Sequence, residues 1–199
     1  MSRLMEDDLD PDPVNQFGRW FEGALASGIK LPEAMVLSTA SRDAQPSSRV
    51  VLLKSFDKDG LVFFTNYDSR KSAELRSNPK ASLLFYWPAL DRQIRIEGST
   101  EDVSDAESDA YFASRPRGSQ IGAWASQQSD VIPDRATLER QAAEYERKYP
   151  KVVPRPPNWG GFRLRPRAFE FWQNQADRLH DRFRYSRDGD RWILERLAP

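Results

Sequence analysis

The sequence contains no cysteine, which excludes disulfides, thiolate nucleophiles and cysteine-ligated iron–sulfur clusters. It contains one histidine, His180, so a histidine-rich metal site is unsupported and no metal is expected. Hydrophobic runs of membrane-spanning length are missing, and the stretch Met1 to Pro13 is acidic rather than signal-like. The expectation is a cytoplasmic protein with no membrane partner. Excess charge is missing as well: 30 Lys plus Arg balance 30 Asp plus Glu, which removes the drive toward nucleic acid. No glycine-rich loop leads from a strand into a helix, so a dinucleotide-binding βαβ unit is unsupported.

What the chain does have is arginine, 23 residues against 7 lysines. The planar guanidinium fork suits carboxylates and phosphates, so the bias points to anionic ligands, although a GC-rich genome produces the same count. The 199 residues suffice for one sizeable core, and we read 1–199 as a single domain.

Asp12-Pro13 reads as a capped helix start, followed by Phe17, Trp20, Phe21, Ala24 and Leu25 at helical spacing, with Gly28 closing the helix. Strand character follows over 34–40, 49–56 and 61–66, with turn signals between. A short helix over about 69–77 ends at Asn78-Pro79, and strands over 81–87 and 92–103 come next. The segment of about 104–150 is a helical insertion. The tail of about 159–199 returns to strands over 161–164, 169–173, 182–187 and 191–196. Hairpin-linked strands with inserted helices predict a mostly β, antiparallel, Greek-key-like barrel rather than a doubly wound sheet.

Four constellations could carry chemistry. In Arg49-Val50-Val51-Leu52-Leu53-Lys54, alternation sends Arg49, Val51 and Leu53 to one face and Val50, Leu52 and Lys54 to the other. This strand could present cations at a rim, and equally fits a buried strand with solvated ends. At Phe64 to Lys71 a strand runs into a helix N-terminus, where free amides and the helix dipole favour an anion and Arg70 and Lys71 add charge. A solvated pair explains the same residues. Tyr111 and Arg115 share a helix face with Ser119 a turn beyond, and all three donate to phosphate oxygens. In Arg178-Leu179-His180-Asp181-Arg182, an extended backbone would place Arg178, His180 and Arg182 on one face, where their repulsion asks for an anion or an electron-rich substrate.

Taken in order, RVVLLK (49–54), FFTNYDSRKSAEL (63–75), NPKASLLFYW (78–87), RQIRIEG (92–98), YFASRPRGSQIGAWASQQS (111–129), WGGFRLRP (159–166), FEFWQ (169–173), RLHDRF (178–183) and ERLAP (195–199) resemble the pyridoxamine 5'-phosphate oxidase family. The likeness spans nearly the whole chain from Asp12. It implies an FMN-binding split β-barrel that works as a homodimer, with FMN at the subunit interface and the C-terminal strands serving dimerisation and substrate. It implies FMN contacts from Arg49, Val50, Val51, Leu52, Leu53, Lys54, Phe64, Thr65, Arg70, Lys71 and Gln93, and from Gln128, Ser129, Trp172 and Arg182 of the partner subunit. Lys54, Tyr111, Arg115 and Ser119 would hold a substrate phosphate, and Arg178 and His180 would lie over the reacting end of the pyridine ring. The implied reaction oxidises phosphorylated B6 vitamers, with O2 as acceptor. It needs a two-electron acceptor that a chain without cysteine lacks, which is the part a flavin fills.

The resemblance departs in two places. Relatives carry a basic Arg-x-x-Tyr segment before the first helix, whereas here only Arg3 precedes Asp12 and no tyrosine does, so the lid is expected to be shortened or absent. Leu31 stands where some relatives have an acidic residue. A split-barrel reductase or a flavin-holding carrier are the alternatives. The Tyr111, Arg115, Ser119 set and RLHDR argue against the first, and turnover decides the second.

Overall fold

A computed structural model of the chain describes residues 3–199. Helix α1 (Pro13–Ala26) starts where the sequence predicts: the Asp12 carboxylate accepts from the Val14 amide at 2.8 Å and Pro13 takes the first turn. Strands β1 (Ala34–Ala40), β2 (Pro46–Leu52), β3 (Ser55–Asp57) and β4 (Gly60–Asn66) follow, then α2 (Arg70–Ser77), β5 (Lys80–Trp87) and β6 (Arg92–Asp102). The helical insertion is α3 (Asp105–Ser114), α4 (Arg117–Ala125) and α5 (Arg135–Lys148). Strands β7 (Trp159–Gln173), β8 (Asp181–Asp188) and β9 (Arg191–Arg196) complete the chain. Among the described residues no helix is long and apolar enough to cross a membrane.

Every strand pairing is antiparallel, in the order β2-β1-β5-β6-β7-β4-β3, with β8 added to β7 and β9 to β8. The sheet splits because β7 is shared. Its first half pairs with β4, its second half with β8, and β6 runs along both. The two short strands expected at 161–164 and 169–173 are therefore one. The join is a bulge: Glu97 faces Ala168 but Gly98 faces Pro166, so Arg167 is the extra residue. A Cβ on Gly98 would stand 2.0 Å from the Arg165 carbonyl oxygen, which is why glycine occupies the crossing.

The single strand expected over 49–56 is instead broken. The Leu53 amide turns to the Glu33 carbonyl at 2.9 Å and the Lys54 amide to that of Val62 at 2.9 Å, so the chain changes partners between β2 and β3. These are contacts across the fold, which no local pattern encodes.

Alternation along the strands buries Leu37, Phe85, Ile94 and Phe171 on the concave side. Helix α1 plugs the end of the barrel, with the Phe17 ring 4.9 Å from Phe56 and the Trp20 ring 5.2 Å from Phe171. Each such side chain contributes about 1.5–3 kcal/mol through burial. A smaller apolar cluster lies outside the wall, where Phe112, Ile121, Val153 and Trp159 pack with Phe64 and Tyr111. It fixes the helical insertion beside β4 and the start of β7, and leaves a cleft between helices and barrel.

The segment before α1 folds onto the β8–β9 end of the sheet. Leu4 and Leu9 are buried, and the Tyr185 hydroxyl donates to the Asp10 carbonyl at 2.7 Å. Arg196 donates to both oxygens of Glu6 at 2.9 Å and to the Leu4 carbonyl at 3.2 Å.

Candidate active site

The cleft is a cavity of about 660 Å³, within the size range of cofactor and substrate sites. Val50, Val51 and Leu52 of β2 and Lys54 from the break after it line its barrel side. Three aromatic rings make one wall: Phe64 stacks on Tyr111 at 4.1 Å and on Trp159 at 5.4 Å, with interplanar angles of 20° and 7°. Gly161, opposite Phe64 in the ladder, makes room for this stack, since a Cβ there would come within 2.8 Å of the Phe64 ring.

One corner of the cavity lies at the start of α2. Lys71 donates to Thr65 Oγ1 at 3.1 Å, Ser69 Oγ at 3.1 Å and Gln128 Oε1 at 2.7 Å. Burial, with the charge of Arg49 as a second cause, pulls the Lys71 ammonium down to about 8. Arg70 has its amide on Ser129 Oγ at 3.3 Å and its Nε on Glu74 at 2.8 Å. Glu74 is buried yet ionised. Burial raises its carboxyl, but bonds from Ser47, Thr39, Arg70 and Arg49 overcome this and hold the pKa at about 2. Gln128 and Ser129 thus reach this corner from the same chain. Ser129 does so with a left-handed backbone, φ 83°.

A second cationic set lies at the α3–α4 junction. Tyr111, Arg115 and Ser119 line the cavity together with Lys54, whose ammonium is 5.8 Å from the centroid of the Tyr111 ring. The guanidinium of Arg115 lies 4.7 Å from the Trp159 ring centroid, and its Nη1 is buried without a hydrogen-bond partner among the described residues. Burial pushes this guanidinium below its ordinary value, so the group is charged, desolvated and short of an acceptor.

The remaining predicted residues lie elsewhere. Leu53 is 5% exposed and belongs to the barrel core; Arg49 and Arg70 stand at the cavity margin, tied to Glu74. Gln93, Trp172 and Arg182 sit side by side on β6, β7 and β8, on the outer face of the sheet. Arg182 is bonded there to the buried Glu170 at 2.8 Å. The His180 ring lies 4.6 Å from Trp172. The extended backbone expected over 178–182 is not found. Ala176–Arg178 form a tight turn in which Asp177 and Arg178 adopt left-handed φ of 56° and 61°, and β8 begins only at Asp181. The residue pattern did not reveal this, because consecutive left-handed positions are usually marked by glycine or asparagine.

Several lining residues escaped the sequence reading as site residues, among them Asn66, Ser126 and Trp159. So did Glu74, although its position four residues after Arg70 is the spacing of a helical ion pair.

A split barrel with a cation-lined cavity on its outer wall defines the class, and comparison with known proteins agrees. Over residues 21–149 the chain matches the family model described as pyridoxamine 5'-phosphate oxidase, and over 159–199 that described as pyridoxine 5'-phosphate oxidase C-terminal dimerisation region. The chain belongs to the pyridoxamine 5'-phosphate oxidase family and is an oxidoreductase. It is 57% identical to the pyridoxine/pyridoxamine 5'-phosphate oxidase of Rubrobacter xylanophilus, over 98% of this chain and 91% of that protein. It is 52% identical to the chloroplastic pyridoxine/pyridoxamine 5'-phosphate oxidase 1 of Arabidopsis thaliana, over 98% of this chain and 38% of that one. Among solved structures, PhzG from Burkholderia lata, crystallised with tetrahydrophenazine-1-carboxylic acid, superposes with a TM-score of 0.94 at 37% identity. That match covers 100% of this chain and 99% of PhzG.

Proposed function

We propose that the chain oxidises pyridoxamine 5'-phosphate and pyridoxine 5'-phosphate at C4' to pyridoxal 5'-phosphate. FMN is the cofactor, and O2 is the electron acceptor, giving H2O2. The observation that carries this reading is one aromatic-walled cavity with two separate cationic sets, at α2 and at the α3–α4 junction. Two phosphates, one on the cofactor and one on the substrate, are what such a pair accommodates.

Bound FMN would supply the two-electron acceptor that the cysteine-free chain lacks. The residues present fit it: Lys71, Arg70, Thr65, Gln128 and Ser129 surround a helix start suited to a terminal phosphate, with Arg49 behind them. Residues 50–54 and Phe64 would bear on its ring. Lys54, Tyr111, Arg115 and Ser119 hold the substrate phosphate, and Arg115 Nη1 gains the acceptor it lacks. Anchoring the phosphate fixes where C4' lies, which lowers the entropic part of the barrier. Oxidation of the alcohol yields the aldehyde directly; oxidation of the amine yields an imine, which water hydrolyses to the aldehyde and ammonia.

Arg178 and His180 are the residues we assign to the reacting end of the substrate, with Gln93, Trp172 and Arg182 beside them. They lie on the outer face of the sheet, away from this chain's own cavity, so the assignment requires a second copy to bring them to it. The homodimer follows. Its surface is supported by the match to a dimerisation region and by Tyr86, which stands 60% exposed beside Gln93 on that same face.

The carboxylic acid bound to PhzG defines the alternative substrate class, a tricyclic acid without phosphate. The desolvated Arg115 set favours a dianionic phosphate. The test is aerobic turnover of the purified protein with each substrate, with the released flavin identified by chromatography. FMN, and pyridoxal 5'-phosphate formed in step with peroxide, are expected. Recovery of FAD would refute the cofactor, and absence of pyridoxal 5'-phosphate from both substrates would refute the reaction.

A further inference from the structure

The turn that carries Arg178 and His180 is strained, and its restraints come from residues that no site reading includes. Left-handed backbone at Asp177 and Arg178 is unfavourable for residues with a side chain, so surrounding bonds must hold it. Two bonds start from Gln175. Its amide donates to His180 Nδ1 at 3.2 Å, and its side-chain amide donates to Asp181 Oδ2 at 2.8 Å. Asp181 is 7% exposed and accepts two further bonds, from the Leu4 amide at 3.0 Å and from Arg196 Nη1 at 2.9 Å. Arg196 in turn clasps Glu6 through both carboxylate oxygens. A continuous chain of hydrogen bonds therefore runs from the N-terminal segment through Arg196, Asp181 and Gln175 to the imidazole.

We infer that Gln175 and Asp181 are positioning residues, which hold His180 in the tautomer protonated at Nε2 and tie its turn, through Arg196, to the N-terminal segment. The direction of the Gln175 bond sets the tautomer: a backbone N–H only donates, so Nδ1 must accept and a neutral ring carries its proton on Nε2. Contact with the Trp172 ring, tilted by 45°, fixes the ring plane, and the Asp181 carboxylate fixes the position of Gln175. The N-terminal segment thus acts on the site from behind, by bracing this turn.

The inference rests on the reading that His180 and Arg178 face the substrate, and the experiment separates the two. Because the chain has one histidine, its ring nitrogens give unambiguous ¹⁵N resonances. In alkaline buffer, FMN-loaded protein is expected to show Nδ1 as the unprotonated nitrogen and Nε2 as the protonated one. Gln175→Ala, the milder variant, and Asp181→Asn should both move these resonances toward a mixture of tautomers. Both should lower kcat by roughly 10- to 100-fold, the scale of a misplaced group, with FMN affinity unchanged. Added to His180→Ala, neither should slow turnover further, because each acts through the missing ring. His180→Ala turning over at the parent rate would refute the functional reading of this face. His180→Ala impaired, with Gln175→Ala and Asp181→Asn showing parent resonances and parent kcat, would overturn the inference alone. So would an Nδ1-protonated ring in the parent protein.

Discussion

Arg115 shows how one desolvated group can announce a ligand. Its Nη1 is buried without a partner among the described residues, a condition that costs free energy until an acceptor arrives. Arg115→Ala removes a charge-assisted bond of about 1.5–3 kcal/mol made in ground and transition states alike, so the KM for phosphorylated substrates should rise roughly 10- to 100-fold. Steady-state kinetics check this, and an unchanged KM with loss of FMN would mean that the two phosphate positions are interchanged. Lys71 makes a separate prediction at the other corner. Burial lowers its pKa to about 8, whereas a bound phosphate favours the ammonium. The cation that binding needs is present below pH 8 and is lost as pH rises through it. FMN affinity should therefore be flat below pH 8 and fall by up to about tenfold per pH unit above it. Calorimetry at pH 9 should detect net proton uptake on binding, and Lys71→Arg should move the decline to higher pH.

At the scale of elements, the shared strand β7 is the structural device that links the cavity wall to the outer face of the sheet. Its start carries Trp159 into the cavity wall, and its end carries Trp172 to the outer face. The bulge between them depends on Gly98. Gly98→Ala forces a Cβ against backbone that cannot swing aside, so a loss of about 3 kcal/mol is expected, at the upper end for single substitutions. That corresponds to a fall in Tm of roughly 6–12 °C for a chain of this size, measurable by calorimetry. Much of this level was legible in the sequence. Strand alternation and turn chemistry located β1, β5, β6 and β9, and Asp12-Pro13 fixed the start of α1. The break at Leu53-Lys54, the fusion across Pro166 and the turn at Ala176–Arg178 were not legible. Each is settled by long-range backbone bonds or buried side chains: Val62 for Lys54, the β6 ladder for Pro166, and Asp181 for the turn. Likewise the Tyr111, Arg115, Ser119 set could be read from spacing, whereas the tether to Glu74 joins residues from β1, β2 and α2 and emerges only on folding.

For the whole molecule, one surface carries the cavity and another carries Trp172, His180 and Arg182, and the proposed homodimer would join them. This predicts complementation between subunits. Arg115→Ala and His180→Ala should each yield an impaired homodimer, but a mixed dimer places both lesions in one site and leaves the other intact. Unfolding and refolding an equal mixture should restore about a quarter of parental activity: half the dimers are mixed, and each has one good site. Sedimentation should show a dimer throughout. A monomer that holds FMN at full stoichiometry would contradict the shared site. The account stands most directly on one half-reaction. FMN-loaded protein mixed anaerobically with pyridoxamine 5'-phosphate should lose its oxidised-flavin absorbance in a single turnover, with one pyridoxal 5'-phosphate formed per flavin. A flavin that stays oxidised at saturating pyridoxamine 5'-phosphate and pyridoxine 5'-phosphate would contradict it.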